Sequence, residues 1–114
     1  MKISEIVDTI AGSVVCGDSK NDKEVFYAFT SDLMSDVLTL LDEHLLLITG
    51  LVHTQSIRTA AMSDIHIILF VRGKKPTKQM LELAKEQEII LITSPYSAFK
   101  ASALLYKKGL LPVY

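Results

Sequence analysis

The chain has 114 residues, 49% of them hydrophobic, and a formal net charge of −1. That length suits a single domain spanning 1–114, able to bury about 65% of its unfolded surface, and the apolar content excludes a disordered chain. The near-zero charge gives no global pull toward nucleic acid or an anionic membrane, and the one cysteine, Cys16, excludes an internal disulfide and any cluster or structural zinc held by several thiolates of one chain.

Ile3, Ile6, Val7 and Ile10 recur at helical spacing, with Gly12 where a C-cap glycine would stand. "SVVC" reads as a short strand, "GDSKND" as a polar turn, and "KEVFYAFT" as an alternating strand. "SDLMSDVLTLLDE" then sets Leu33, Val37, Leu40 and Leu41 on one helical face. Its two Ser-Asp pairs, Ser31-Asp32 and Ser35-Asp36, read best as helix caps and first-turn acids.

Three similar units follow. "HLLLIT", "IHIILFV" and "EIILIT" are compact branched apolar runs, the pattern of strands buried on both faces. Each leads through a short turn into a helical pattern: Thr54–Met62, Thr77–Gln87 and Tyr96–Lys108, the last ending in Lys107, Lys108 and Gly109. Strand and helix in alternation predict an α/β fold, a largely parallel central sheet with flanking helices. Cys16 is expected to be a packed, inert thiol. The apolar tail "GLLPVY" predicts a homodimer, unless it packs on its own sheet. The longest apolar stretches fall well short of the roughly 20 residues of a membrane span. The N-terminus, broken by Glu5 and Asp8, lacks a signal-peptide core, so the cytoplasm is the expected location.

In an open parallel sheet, ligands bind beyond the carboxyl ends of the strands. Three turns emerge there, around His53, Arg72 and Ser94, and each opens a helix N-terminus with unpaired N–H groups. "VRGKKPT" is the most anion-like: Arg72 offers a planar fork, Gly73 allows close backbone approach and Lys74 adds charge. It is not a P-loop, because Ile68 stands where the first glycine belongs. No histidine shows metal-ligand spacing, no Gly-x-Ser-x-Gly elbow is present, and no dinucleotide fingerprint appears. No metal and no cofactor are therefore expected. The candidate ligand contacts are His53, Thr54, Arg72, Gly73, Lys74, Ser94 and Ser97.

Several blocks together resemble a known family. They are the opening helix and strand, "TSDLMSDVL", "LLLITGLVHTQSIRTAAMSDIHIILFVRGKKP" and "EIILITSPYSAFKASALLY". In order and spacing they are similar to small stand-alone DRTGG-domain proteins and, more distantly, to the N-terminal domain of HPr kinase/phosphorylase. The five letters naming the family are absent. Arg72-Gly73-Lys74-Lys75 stands where members often have Thr-Gly-Gly before the proline, and Ser97 where they usually have Thr. The resemblance implies a compact domain of no established catalytic function, found beside catalytic or regulatory domains where it contributes to subunit contacts. Stand-alone relatives often sit near iron-only hydrogenase and redox genes. Kinase activity does not carry over, since it belongs to a separate P-loop domain. The expected function is a non-catalytic regulatory domain that self-associates and binds a small anionic ligand or a partner protein. Two alternatives remain open: a small enzyme on a phosphorylated metabolite with His53 as acid/base, and a redox-complex partner that binds no small molecule.

Overall fold

The structure, a computed structural model, describes residues 1–18 and 23–114. The expected turn "GDSKND" thus lies partly outside the described residues. The elements in chain order are α1 (Ile3–Thr9), β1 (Ser13–Cys16), β2 (Tyr27–Thr30), α2 (Met34–Val37), β3 (Leu45–Thr49) and α3 (Thr54–Met62). Then come β4 (Ile67–Phe70), α4 (Lys78–Glu86), β5 (Ile90–Thr93), α5 (Ala98–Lys108) and β6 (Leu111–Pro112). The strands form one sheet in the order β1-β5-β4-β3-β2-β6. β2 to β6 run parallel, and β1 pairs antiparallel with β5 at one edge.

Side chains alternate across the central strands, so each strand feeds two cores. Leu46, Ile48, Ile67, Leu69, Ile90 and Ile92 meet Ile3 and Ile6 of α1 and Ala101 and Leu105 of α5. Leu45, Leu47, Ile68, Phe70 and Leu91 meet Val37 of α2, Ile57 and Ala60 of α3, and Met80 and Ala84 of α4. Burial on both faces is why these strands read as unbroken apolar runs instead of alternating ones. No helix among the described residues is long and apolar enough to cross a membrane.

One expectation is corrected. The helix foreseen over "SDLMSDVLTLLDE" shrinks to the four residues of α2, with Met34, Val37 and Leu40 buried but Leu33 58% and Leu41 78% exposed. Reverse turns continue the chain, Thr39 N–H donating to Asp36 O at 3.1 Å and Leu40 N–H to Val37 O at 3.0 Å. The tail does pack on its own sheet: Leu110 is buried and Leu111–Pro112 pairs parallel with Tyr27–Ala28 of β2. Leu111 and Tyr114 nevertheless stay 55% and 87% exposed along this edge.

The helix ends share one device. Beyond α1, α3 and α4 a residue turns left-handed, Ala11 (φ 49°), Asp64 (φ 56°) and Glu88 (φ 56°). The next N–H returns to the last turn: Gly12 to Val7 O at 2.9 Å, Ile65 to Ala60 O at 2.8 Å and Ile89 to Ala84 O at 2.9 Å. Gly12 is therefore not the left-handed cap. It is small for another reason: a Cβ there would come within 3.0 Å of the Thr93 carbonyl oxygen. Glu88 is exposed and occupies a conformation that favours glycine. Relief of left-handed strain outweighs the entropy that glycine loses, so Glu88→Gly should raise stability by about 0.5–1 kcal/mol. Urea unfolding measures this, and a loss of stability would refute the strain argument.

Candidate functional site

Because β2, β3, β4 and β5 are parallel, their carboxyl ends share one edge, and four turns crowd there. The helices after β4 and β5 lie on opposite faces of the sheet, which opens a crevice between two neighbouring strands. Here the chain fills that crevice itself. Arg72 and Gly73 both take positive φ, 64° and 68°, and fold the turn across to its neighbour. Arg72 N–H donates to Tyr96 O at 2.7 Å and Gly73 N–H to Ser94 O at 2.8 Å. The two turns are thus locked together by backbone.

The turn after β3 is tied to the turn after β2. Asp32 Oδ1 accepts from the Thr49 hydroxyl at 2.9 Å and from Gly50 N–H at 2.7 Å. Asp32 is therefore not a cap of α2, whose N-cap is Leu33 without a side-chain bond. Ser31 makes the local turn instead, its hydroxyl accepting from Leu33 N–H at 3.0 Å. Thr49 passes the connection on, accepting from Leu51 N–H at 3.1 Å.

Gly50 is the meeting point. Asp32 Oδ2 and Arg72 Nη2 lie 3.4 and 3.6 Å from where a Cβ on Gly50 would be. Lys74 Nζ donates to the Gly50 carbonyl oxygen at 3.4 Å. Within the described residues the Arg72 guanidinium makes no ion pair, although it sits beside a carboxylate. The edge thus presents an unpaired planar cation, a second cation and a carboxylate with one oxygen turned to the same point.

The remaining sequence candidates have local work. His53 is the N-cap of α3, its Nδ1 accepting from Gln55 N–H at 3.1 Å, and its ring is exposed. Thr54 Oγ1 accepts from Arg58 Nη1 at 3.3 Å. Ser97 is the N-cap of α5, accepting from Lys100 N–H at 3.2 Å. Ser94 is buried, donates to the Ile10 carbonyl oxygen at 2.6 Å and accepts from Tyr96 N–H at 3.1 Å. The structure thus brings Arg72 and Lys74 to Gly50, ties Gly73 to the turn after β5, keeps His53 in the adjoining turn and engages Ser94 in bonds within the fold.

Asp32 joins this edge through Thr49 and Gly50, a place the sequence reading did not give it. A signal existed, since it follows β2 directly and so had to lie on the same edge. Two wider grooves, of about 540 Å³ beside Asp8 and Lys107 and about 480 Å³ beside Val15 and Leu81, contain none of these residues. Cys16 borders the second. Its burial pushes the thiol pKa up, with Lys85 opposing, which favours the protonated thiol at neutral pH.

The model of the DRTGG domain matches residues 5–107. This chain belongs to the DRTGG domain family. Among solved structures, this DRTGG domain is similar to the CBS and DRTGG domains of the regulatory region of Clostridium perfringens pyrophosphatase, complexed with the activator diadenosine tetraphosphate. The TM-score is 0.76 at 22% sequence identity, a likeness of fold. It covers 95% of this chain and 46% of that one, so the DRTGG domain spans less than half of the chain it matches. Among curated proteins, none matches.

Proposed function

We propose that this DRTGG domain is a non-catalytic regulatory module that binds a small phosphorylated ligand bearing hydroxyl groups, of the nucleotide class. The observation that carries this reading is the Arg72 guanidinium, without an ion-pair partner among the described residues and gathered with Lys74 and Asp32 around Gly50. Arg72 and Lys74 supply the charge-assisted bonds that phosphate oxygens need. Asp32 Oδ2 would repel a bare phosphate but accepts from a sugar hydroxyl or a base amine. Support of another kind comes from the pyrophosphatase regulatory region, which shares the fold and is complexed with a dinucleotide activator.

The enzyme alternative is weaker. An acid/base His53 would need a partner, and the only hydrogen bond of its ring among the described residues is the helix cap to Gln55. That bond also occupies Nδ1, so a single nitrogen faces solvent with no carboxylate to tune it.

A thermal-shift screen followed by calorimetry tests the proposal. Mononucleotides, dinucleoside polyphosphates, sugar phosphates and inorganic phosphate form the panel. A nucleotide at one hundred times its Kd should stabilise the fold by about 2.7 kcal/mol, inorganic phosphate should do far less, and added salt should weaken the effect. If no phosphorylated compound stabilises the domain, this edge is not a ligand site.

A further inference from the structure

The opposite edge, where the strands begin, carries a second cluster. Glu43 and His44 directly precede β3, and Asp64 and His66 lie in the loop before β4. Donor atoms of Glu43, Asp64 and His66 all lie within 4.8 Å of one another. His66 Nε2 is 3.2 Å from Asp64 Oδ1, and His44 Nε2 is 3.6 Å from Glu43 Oε1. Two carboxylates and one imidazole thus converge from separate loops, and the His44 ring lies against Glu43 at their side. Like charges this close oppose one another, and among the described residues the imidazoles are the only ion-pair partners of Glu43 and Asp64.

His44 adds an independent observation. Its Nδ1 lies 3.2 Å from the Glu24 carbonyl oxygen, which can only accept, so Nδ1 carries the proton. In the neutral ring the lone pair is then on Nε2, the nitrogen that faces Glu43. A backbone carbonyl holding the far nitrogen is the usual arrangement behind a metal-bound imidazole. The ring is also fixed by Phe26, whose centroid lies 4.7 Å away. His66 is anchored to the sheet, its carbonyl oxygen accepting from Ile90 N–H at 2.8 Å.

We propose that Glu43, Asp64 and His66, with His44 beside them, bind one divalent transition-metal ion of the zinc class, water completing its coordination. Zinc takes carboxylate oxygen and imidazole nitrogen at about 2.0–2.2 Å, which puts neighbouring donors of a tetrahedral site about 3.3 Å apart. The Asp64–His66 pair already has that separation, and rotation of the exposed Glu43 side chain closes the remainder. Calcium is disfavoured, because it wants about six to eight oxygens and no nitrogen. No sequence spacing announces the site, since its donors come from two loops that only the pairing of β3 with β4 brings together.

Titration of the full, tag-free chain with Co²⁺ alone tests this. One Co²⁺ per chain should bind saturably, give visible d–d absorption of a four- or five-coordinate ion, and be displaced by Zn²⁺. His66→Ala and Glu43→Gln should each weaken Co²⁺ binding at least about tenfold. So should Asp64→Asn, a change that keeps a residue tolerant of positive φ. His53→Ala, at the far edge, should bind as the parent does. The proposal is overturned by the absence of saturable Co²⁺ binding, or by His66→Ala binding Co²⁺ like the parent with an unchanged circular dichroism spectrum.

Discussion

Arg72→Gly combined with Lys74→Ala should weaken nucleotide binding by about 3–6 kcal/mol while leaving the fold as stable or slightly more so. The binding loss follows from the two cations, since each charge-assisted hydrogen bond contributes about 1.5–3 kcal/mol. The stability gain follows from the backbone. Arg72 sits at φ 64°, where any residue with a Cβ is strained by roughly 1–2 kcal/mol. Its N–H bond to Tyr96 O needs no side chain and survives the change. Calorimetry with the tightest compound of the panel and urea unfolding together give the readout. Equal affinity in the double variant would reduce Arg72–Lys74 to a turn. Lost affinity with lost stability would mean that the turn, not its charge, was damaged.

The parts of this fold that were legible in the sequence are those set by local pattern. β3, β4 and β5 announce themselves because Leu45–Thr49, Ile67–Phe70 and Ile90–Thr93 face a core on each side. The helix bounds Thr54–Met62 were foreseen as observed, and Thr77 and Ser97 cap the two helices that follow. What failed depended on distant partners. The segment after β2 has helical spacing, yet Asp32 is drawn to Thr49 and Gly50, seventeen and eighteen residues on, which delays the helix to Met34. The antiparallel place of β1 beside β5 and the return of the tail as β6 are pairings over most of the chain length. The candidate site divides in the same way. Arg72, Gly73 and Lys74 could be singled out as candidates because parallel sheets put ligands at one edge, whereas the tie of Asp32 to that edge is a contact between turns.

Ser94→Ala should cost about 2–4 kcal/mol of stability and leave ligand affinity per folded molecule unchanged. Ser94 looks like a site residue in the sequence: a hydroxyl at a strand's carboxyl end, before a helix. Its partner, however, is the carbonyl oxygen of Ile10, eighty-four residues away and fully buried. The same hydroxyl accepts from Tyr96 N–H, and Tyr96 in turn holds Arg72 through its carbonyl. Alanine would strand one buried acceptor and one donor, each worth about 1–3 kcal/mol when unsatisfied. Ser97→Ala is the control. It removes an exposed helix cap three residues on and should cost only about 1 kcal/mol. Urea unfolding of the two variants should therefore separate them clearly. Calorimetry at a temperature where Ser94→Ala remains folded completes the test. Undiminished stability with lost affinity would make the Ser94 hydroxyl a ligand contact after all. The expected opposite pattern makes it the bolt that fixes α1 to the turn behind Arg72.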